Sequence, residues 1–259
     1  MFPKLFSIGS FFIPTYGVLV ALGFLAGLFV TLRLARRVHL PAEKISNLAI
    51  YCALGGIAGA KLFMFLFDWN FYVHNPQEIF TLSTLQAAGV FHGGLLLALL
   101  VALLYIRGQQ LPLLLTLDTF APGIALGHAI GRLGCFAAGC CWGKECHLPW
   151  AVYFRSQEAA QVPLGVPLHP AQLYESATNL LIFGLLYRLT GRTHRDGQIF
   201  GLYLILYGLA RFIIEFFRVH EQSLVFDLSL TQWISLALVA LGALILWARQ
   251  RPAALATQH

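Results

Sequence analysis

Long apolar runs separated by short polar segments make up most of the chain. A transmembrane helix needs about 20 apolar residues, and seven runs approach that length, so we predict about seven transmembrane helices. Asp118 and Pro122 interrupt the fourth run, and Glu175 and Asn179 interrupt the fifth. The runs lie near residues 13–34, 45–67, 90–106, 112–130, 172–188, 198–217 and 231–248.

Composition agrees with this pattern. Hydrophobic residues make up 58% of the 259 residues and charged residues only 11%, whereas soluble domains carry about 25% charged residues. The sequence therefore predicts an all-α, polytopic membrane protein. The net charge of +6 does not indicate a nucleic-acid site, because the basic residues lie between apolar runs rather than on one stripe. Residues 1–10 lack the features of a cleavable signal peptide.

We predict a single integral-membrane domain over residues 1–259, with its largest hydrophilic insertion, a structured loop, at about 131–170. Basic residues follow the first, third, fifth and seventh runs, whereas the segment 68–89 has no lysine or arginine. Because cytoplasmic loops are enriched in basic residues, we predict an outside N-terminus and a cytoplasmic C-terminus. The basic residues are Arg33, Arg36, Arg37, Lys44, Arg107, Arg188, Arg192, Arg195, Arg249 and Arg251.

This orientation places the unusual polar residues of the runs in the outer half of the membrane. Polar residues placed at random would lie in both halves of the membrane. We therefore predict one membrane-embedded site that faces the outer leaflet. Arg132 is its first candidate, because an arginine at the edge of a lipid-buried helix needs an anionic partner. The other polar residues are Tyr16, Lys61, His92, His128, His169, Gln172, Tyr174, Glu175, Arg211, Glu215 and Arg218.

A polar stripe lies on one face of the sixth predicted helix, at spacings of four, four and three residues. One interpretation is structural, with Glu215 neutralising one arginine while the other extends to the interface. The other is functional: with Arg132 and Lys61 at a similar depth, positive charge is in excess, and a phosphate headgroup would balance it. The stripe consists of Tyr207, Arg211, Glu215 and Arg218.

His92 opens the third run and is followed by Gly93 and Gly94. A histidine at this place is commonly a helix cap, although it is also suited to act as a general base toward a thiol or hydroxyl. The two glycines permit close approach by a lipid or a neighbouring helix. In the segment 169–175, a proline indicates entry into a helix, and its polar residues are expected to support the site.

The chain contains the motifs PTYG (14–17), GGIAGAKLFMFLF (55–67), FHGGL (91–95), GHAIGRLGCF (127–136), HPAQLYES (169–176) and YGLARFIIEFFR (207–218). Together these motifs resemble the bacterial prolipoprotein diacylglyceryl transferases, in the family's order and over most of the chain. The resemblance implies a seven-span enzyme of the bacterial inner membrane that moves the diacylglyceryl group of phosphatidylglycerol onto the lipobox cysteine of a prolipoprotein, releasing glycerol phosphate. It implies no cofactor; membrane lipids and the prolipoprotein signal peptide are the expected partners, and a monomer is adequate.

The resemblance also implies residue roles. Arg132 and Arg211 match arginines assigned to headgroup binding and catalysis, and His92 matches the histidine proposed to activate the substrate thiol. We expect these three residues to be catalytic. We expect the following residues to bind substrate: Tyr16, Lys61, Gly93, Gly94, Gly134, Gly143, His169, Tyr174, Tyr207, Glu215 and Arg218.

The chain departs from the family pattern at three positions. Cys135 and Cys140 stand where the family typically has asparagine and glutamate, in NF-x-x-GE-x-x-G. Lys61 replaces the usual arginine, keeping the charge but losing the bidentate fork. Three alternatives therefore stay open: a divergent paralogue with another acceptor or lipid, a non-enzymatic phospholipid-binding protein, or a thiol-redox membrane protein.

Four of the five cysteines lie between residues 135 and 146. Four interpretations are open for these cysteines: packing, a disulfide in an oxidising periplasm, a reactive thiol beside Arg132, or a metal site completed by His128 and His147. The pattern C-x4-C-C-x4-C is not a standard zinc spacing, and we expect no bound metal. The candidate thiol site comprises Cys135, Cys140, Cys141 and Cys146.

Overall fold

The structure is a computed structural model that describes residues 4–8, 11–81, 84, 87, 89–155, 162–219 and 226–250. Within these residues the chain forms eight α-helices, a 3-10 helix and two short antiparallel strand pairs. The helices are α1 (Thr15–Arg37), α2 (Ala42–Phe67), α3 (Trp69–His74), α4 (Phe91–Gly108), α5 (Leu113–Ala138), α6 (Ala171–Leu189), α7 (Gln198–Glu215) and α8 (Leu230–Gln250), the 3-10 helix is Pro76–Phe80, and the strands are β1 (Lys4–Ile8), β2 (Phe11–Pro14), β3 (Val152–Tyr153) and β4 (Pro167–Leu168).

Six of the described helices are long and apolar enough to cross a membrane, namely α1, α2, α4, α5, α7 and α8. This confirms an all-α, polytopic membrane protein. The remaining predicted span forms as α6, but its buried Gln172, Glu175 and Asn179 make it more polar than the other six. Parts of three predicted features lie outside the described residues: 156–161 of the insertion, 82–83, 85–86 and 88 of the segment 68–89, and Arg251.

The predicted end of the fourth span is too early. Helix α5 continues to Ala138, so Arg132, Gly134 and Cys135 lie on the helix and not in the loop. The helix continues because Arg132 has an acidic partner and because alanine favours helix. It ends at Gly139, whose φ of 74° lies in the left-handed region that terminates many helices at glycine.

Contacts divide the chain into two compact units, Ala35–Leu113 and the remainder. In the unit Ala35–Leu113, small residues bring α2 and α4 together, as is common between membrane helices. A Cβ on Gly94 would lie 2.7 Å from the carbonyl oxygen of Gly56, so glycine is required for this spacing. The backbone N–H of Val90 donates to the carbonyl of Ala60 at 3.0 Å, which fixes the start of α4 beside α2.

The other unit contains α1 and α5 to α8. Its core is formed by residues of α5, α6 and α7. Asp118, which is buried in α5, accepts hydrogen bonds from the backbone N–H groups of Gly197 at 2.6 Å and Phe200 at 2.7 Å. It therefore caps the N-terminus of α7 from a neighbouring helix. The core residues are Ala121, Ala125, Ile182, Leu186, Ile199, Tyr203 and Leu204.

Candidate active site

A buried carboxylate gathers three arginines from two helices and the segment after one of them. Glu175, 2% exposed in the first turns of α6, lies with Oε2 2.7 Å from Arg132 Nε. Its Oε1 is 3.6 Å from Arg211 Nη1 and 3.7 Å from Arg218 Nη1. We call these four residues and Glu215 the basic cluster. Arg132 lies towards the end of α5 and Glu175 near the start of α6, whereas Arg211 and Glu215 lie in the last turns of α7 and Arg218 follows it.

Glu215 completes the basic cluster and links it to α8. Its Oε2 lies 2.5 Å from Arg211 Nη1, one turn earlier on α7. The hydroxyl of Ser229 donates to Glu215 Oε1 at 3.2 Å. Ser229 and Gln232 also exchange hydrogen bonds between side chain and backbone at 2.9 and 3.2 Å, which is the capping box of α8. The start of α8 is thus tied to the same carboxylate that orients Arg211.

His128 and Tyr207 form one wall of the basic cluster. Arg132 Nε donates to His128 Nε2 at 3.1 Å, and His128 lies one turn earlier on α5. The His128 ring is 5.4 Å from the ring of Tyr207, which stacks on Tyr203 at 5.8 Å. The hydrogen bond to His128, whose ring packs on Tyr207, therefore helps to orient Arg132.

The charges of the basic cluster do not cancel. Three arginines face two carboxylates, leaving one positive charge in excess. The arginine side chains of positions 132, 211 and 218 are 17, 10 and 19% exposed, whereas Glu175 is 2% exposed. The carboxylate is thus enclosed while the guanidinium groups remain partly accessible. Such a site is suited to an oxyanion, because guanidinium forks match phosphate oxygens and bind strongly when partly desolvated.

A backbone contact places the loop after α5 beside Arg218. The N–H of Gly143 donates to the carbonyl of His169 at 3.0 Å, and Gly143 forms an isolated β-bridge with Arg218. A Cβ at Gly143 would lie 2.6 Å from both His169 Cβ and the Phe217 carbonyl oxygen. Only glycine fits at this position, which explains its place among the predicted site residues.

The remaining predicted residues of this unit lie around the basic cluster or its loop. The Tyr16 ring packs on Gly134, where a Cβ would be 3.3 Å from Tyr16 Cδ2. The hydroxyl of Tyr174 interacts with His169 Nδ1 at 3.1 Å and accepts a hydrogen bond from Trp150 Nε1 at 2.8 Å. His169 and Tyr174 therefore brace the start of α6, which carries Glu175.

Three cysteine thiols lie beside Arg132. The Sγ atoms of Cys135, Cys140 and Cys141 are within 4.8 Å of one another, and Arg132 Nη1 is 3.9 Å from Cys135 Sγ. Cys146 is buried, but it does not belong to this group. The five cysteines of the chain, all of which are in described segments, are free thiols.

The other predicted site residues belong to the unit Ala35–Leu113. His92 is exposed in the first turn of α4, with its ring 5.8 Å from that of Phe91. Gly93 and Gly94 are buried against α2. Lys61 Nζ donates to the carbonyl oxygens of Thr84 and Ala87, both at 2.5 Å. Their participation in the same site as Arg132 remains a prediction.

Two residues at the centre were not among the predicted catalytic or binding residues. Both were expected among the polar residues of the membrane-embedded site, Glu175 in the segment 169–175 that supports it and His128 also as a possible metal ligand. The spacing of four between His128 and Arg132 was the available signal for the first contact, because such residues share a helix face. The spacing of residues along the sequence does not predict that Glu175 contacts three arginines.

Comparison with known proteins identifies one family over nearly the whole chain. The sequence profile of the family described as prolipoprotein diacylglyceryl transferase matches residues 3–248. A phosphatidylglycerol–prolipoprotein diacylglyceryl transferase of Clostridium tetani is 34% identical over 245 residues, covering 95% of this chain and 96% of the relative. Proteins of the same name from Ruegeria pomeroyi and Bordetella parapertussis are 36 and 33% identical, covering 97 and 93% of this chain and 96 and 92% of the relatives.

Proposed function

The chain belongs to the prolipoprotein diacylglyceryl transferase family, and on that premise we propose that it transfers the diacylglyceryl group of phosphatidylglycerol to the lipobox cysteine thiol of a prolipoprotein. The observation that carries this proposal is the basic cluster, in which three arginines around one buried glutamate retain an excess positive charge. We further propose that this multi-pass protein lies in the bacterial inner membrane with its N-terminus and the cluster on the periplasmic side.

The reaction builds up negative charge on the phosphate of phosphatidylglycerol. The thiolate sulfur of the acceptor forms a thioether bond to the terminal glyceryl carbon, and the carbon–oxygen bond to phosphate breaks. The electron pair of that bond leaves with glycerol phosphate, so a second negative charge develops on the phosphate. Preorganised donors that face a developing charge commonly make the largest contribution to catalysis, and in this proposal Arg132 and Arg211 are those donors.

Glu175 acts as a positioning residue in this proposal. Three guanidinium groups within a few ångströms repel one another and do not hold a fixed arrangement without a counter-charge. Glu175 contacts all three, while Glu215 also contacts Arg211 through Nη1. The arginines are therefore oriented before the lipid binds, and less reorganisation is needed when charge develops on the phosphate.

His92 is the proposed base that removes the thiol proton. An imidazole can accept a proton from a thiol near neutral pH. The side chain is exposed at the start of α4, where an acceptor can reach it. The proton passes from sulfur to His92 and then to solvent or to the departing phosphate, which balances the reaction without a cofactor. One chain supplies every group, so a monomer suffices.

The test is transfer from phosphatidylglycerol to a lipobox peptide by purified protein in detergent, followed by mass spectrometry of the peptide. We expect the wild type to add one diacylglyceryl group per cysteine. Arg132→Ala and Arg211→Ala should each reduce the rate about 10²–10³-fold, the usual cost of losing one donor to a developing oxyanion. Arg192→Ala, which changes an exposed arginine outside the cluster, is the matched control and should retain activity.

Two results would reject the proposal. One is transfer at wild-type rate by both arginine variants. The other is phosphatidylglycerol binding by the wild type without any transfer to peptide, which would favour a lipid-binding protein.

A further inference from the structure

The three thiols beside Arg132 form a chemically active group that the transfer reaction does not use. Cys135 lies in the last turn of α5, and Cys140 and Cys141 follow its end. The chain reverses there through Gly139, at φ 74°, and Cys141, at φ 61°. These left-handed residues turn the backbone so that the three sulfur atoms converge within 4.8 Å of one another.

We propose that Cys135, Cys140 and Cys141 bind one soft metal ion, monovalent copper, in a three-sulfur site. Metal–thiolate bonds of about 2.3 Å place sulfur atoms roughly 4 Å apart in a trigonal site. The observed spacing is within 4.8 Å, so rotation of the side chains brings the sulfurs into bonding range without moving the helix. The proposal does not depend on the transferase activity.

The donor set selects the class of ion. Among the described residues, no histidine or carboxylate joins this group, and all three ligand atoms are sulfur. Thiolates favour soft ions, whereas magnesium, calcium and manganese require oxygen ligands. Structural zinc sites almost always have four protein ligands, and this group supplies three. Monovalent copper is therefore the better match, and zinc is the competing ion.

A cationic side chain lies next to the proposed site. Arg132 Nη1 is 3.9 Å from Cys135 Sγ. Three thiolates with one monovalent ion carry two negative charges, and the basic cluster next to them has one positive charge in excess. The metal-bound group is thus partly neutralised by Arg132 and its neighbours.

Hydrogen bonds hold the backbone of the site. The N–H of Cys140 donates to the carbonyl of Cys135 at 3.1 Å. The amide of Gln172, which is fully buried, donates to the carbonyl of Cys140 at 2.6 Å. Because Gln172 is on α6, the turn that carries Cys140 is fixed to a second helix. Such supporting contacts commonly change metal affinity 10- to 100-fold.

The test is titration of reduced, detergent-purified protein with monovalent copper under anaerobic conditions, against a coloured copper chelator. We expect the wild type to remove one copper ion per chain from the chelator. Cys135→Ser, Cys140→Ser and Cys141→Ser should each weaken binding at least about 10-fold, since losing a ligand costs no less than losing a supporting contact. Cys52→Ser and Cys146→Ser are the matched controls, because neither thiol belongs to the group, and both should bind as the wild type does.

Helix content and thermal unfolding of each variant distinguish ligand loss from misfolding, and Cys135→Ala provides a second replacement at the helix position. Failure of the wild type to take copper from the chelator would overturn the proposal. Equal affinity in the three serine variants would also overturn it. A disulfide among these thiols in anaerobically prepared protein, or binding of zinc in preference to copper, would contradict the assignment of the site.

Discussion

Replacing Glu175 with glutamine removes the negative charge at the centre of the basic cluster while keeping the size of the side chain. In the wild type the carboxylate contacts Arg132, Arg211 and Arg218 at 2.7, 3.6 and 3.7 Å. After the change, three arginines face Glu215 alone, and the excess rises from one positive charge to two. Removing one partner of a buried ion pair typically destabilises a protein by about 3–5 kcal/mol.

The lower end of that range applies here. The three arginine side chains are 10–19% exposed, so water partly solvates the charges that Glu175 leaves behind. We therefore expect Glu175→Gln to lower the free energy of unfolding by about 3 kcal/mol, which is more than a 100-fold change in the unfolding equilibrium. This loss of stability can be measured by denaturant unfolding in zwitterionic detergent, with helix content as the signal.

Lipid dependence separates the proposed site from an ordinary ion pair. If the cluster binds phosphate, phosphatidylglycerol in the micelle supplies the missing negative charge. It should therefore stabilise Glu175→Gln more than it stabilises the wild type. Glu145→Gln is the control, because Glu145 is 61% exposed and outside the cluster, and it should unfold as the wild type does with or without the lipid. A loss below about 1 kcal/mol, or equal stabilisation of both proteins by the lipid, would refute the reasoning.

Three further changes test separate parts of the structure. Gly143→Ala should destabilise the protein and reduce transfer, because its Cβ would lie 2.6 Å from the neighbouring backbone, whereas Gly184→Ala, with open space around it, should not; equal activity and thermal stability of the two would contradict this. Asp118→Asn should cost about 1–2 kcal/mol in unfolding free energy, because the charged cap of α7 is lost; an unchanged transition would count against the cap. His92→Gln should lower the transfer rate about 10²–10⁴-fold with phosphatidylglycerol binding retained; wild-type turnover would exclude His92 as the base.

The sequence predicted the helices well because a bilayer imposes a length and an apolar composition on each of them. It was less informative where polar residues interrupt a run. Asp118 interrupts the apolar pattern of the fourth span, yet in the structure it caps α7. Arg132 appeared to end that span, although α5 continues to Ala138. In both cases a partner on another helix offsets the charge, and that partner cannot be read from local sequence.

The sequence predicted a common depth in the membrane for the site residues, which stays a prediction, and it did not predict which side chains contact one another. Loop charges locate a residue along the membrane normal, so Arg132 and Arg211 were expected at one level, and the structure brings them together around Glu175. Lateral position depends on helix packing, which loop charges do not report. For the same reason the convergence of Cys135, Cys140 and Cys141 had no signal in their spacing, since it depends on two left-handed residues in the turn after α5.

Native mass spectrometry of lipid bound to the purified protein tests the central claim most directly. The claim is that Arg132 and Arg211 hold the phosphate of a lipid headgroup. It predicts that phosphatidylglycerol remains bound to the wild type and to Arg192→Ala, and is lost from the Arg132→Ala/Arg211→Ala double variant. Retention of phosphatidylglycerol by the double variant at the wild-type level would contradict it.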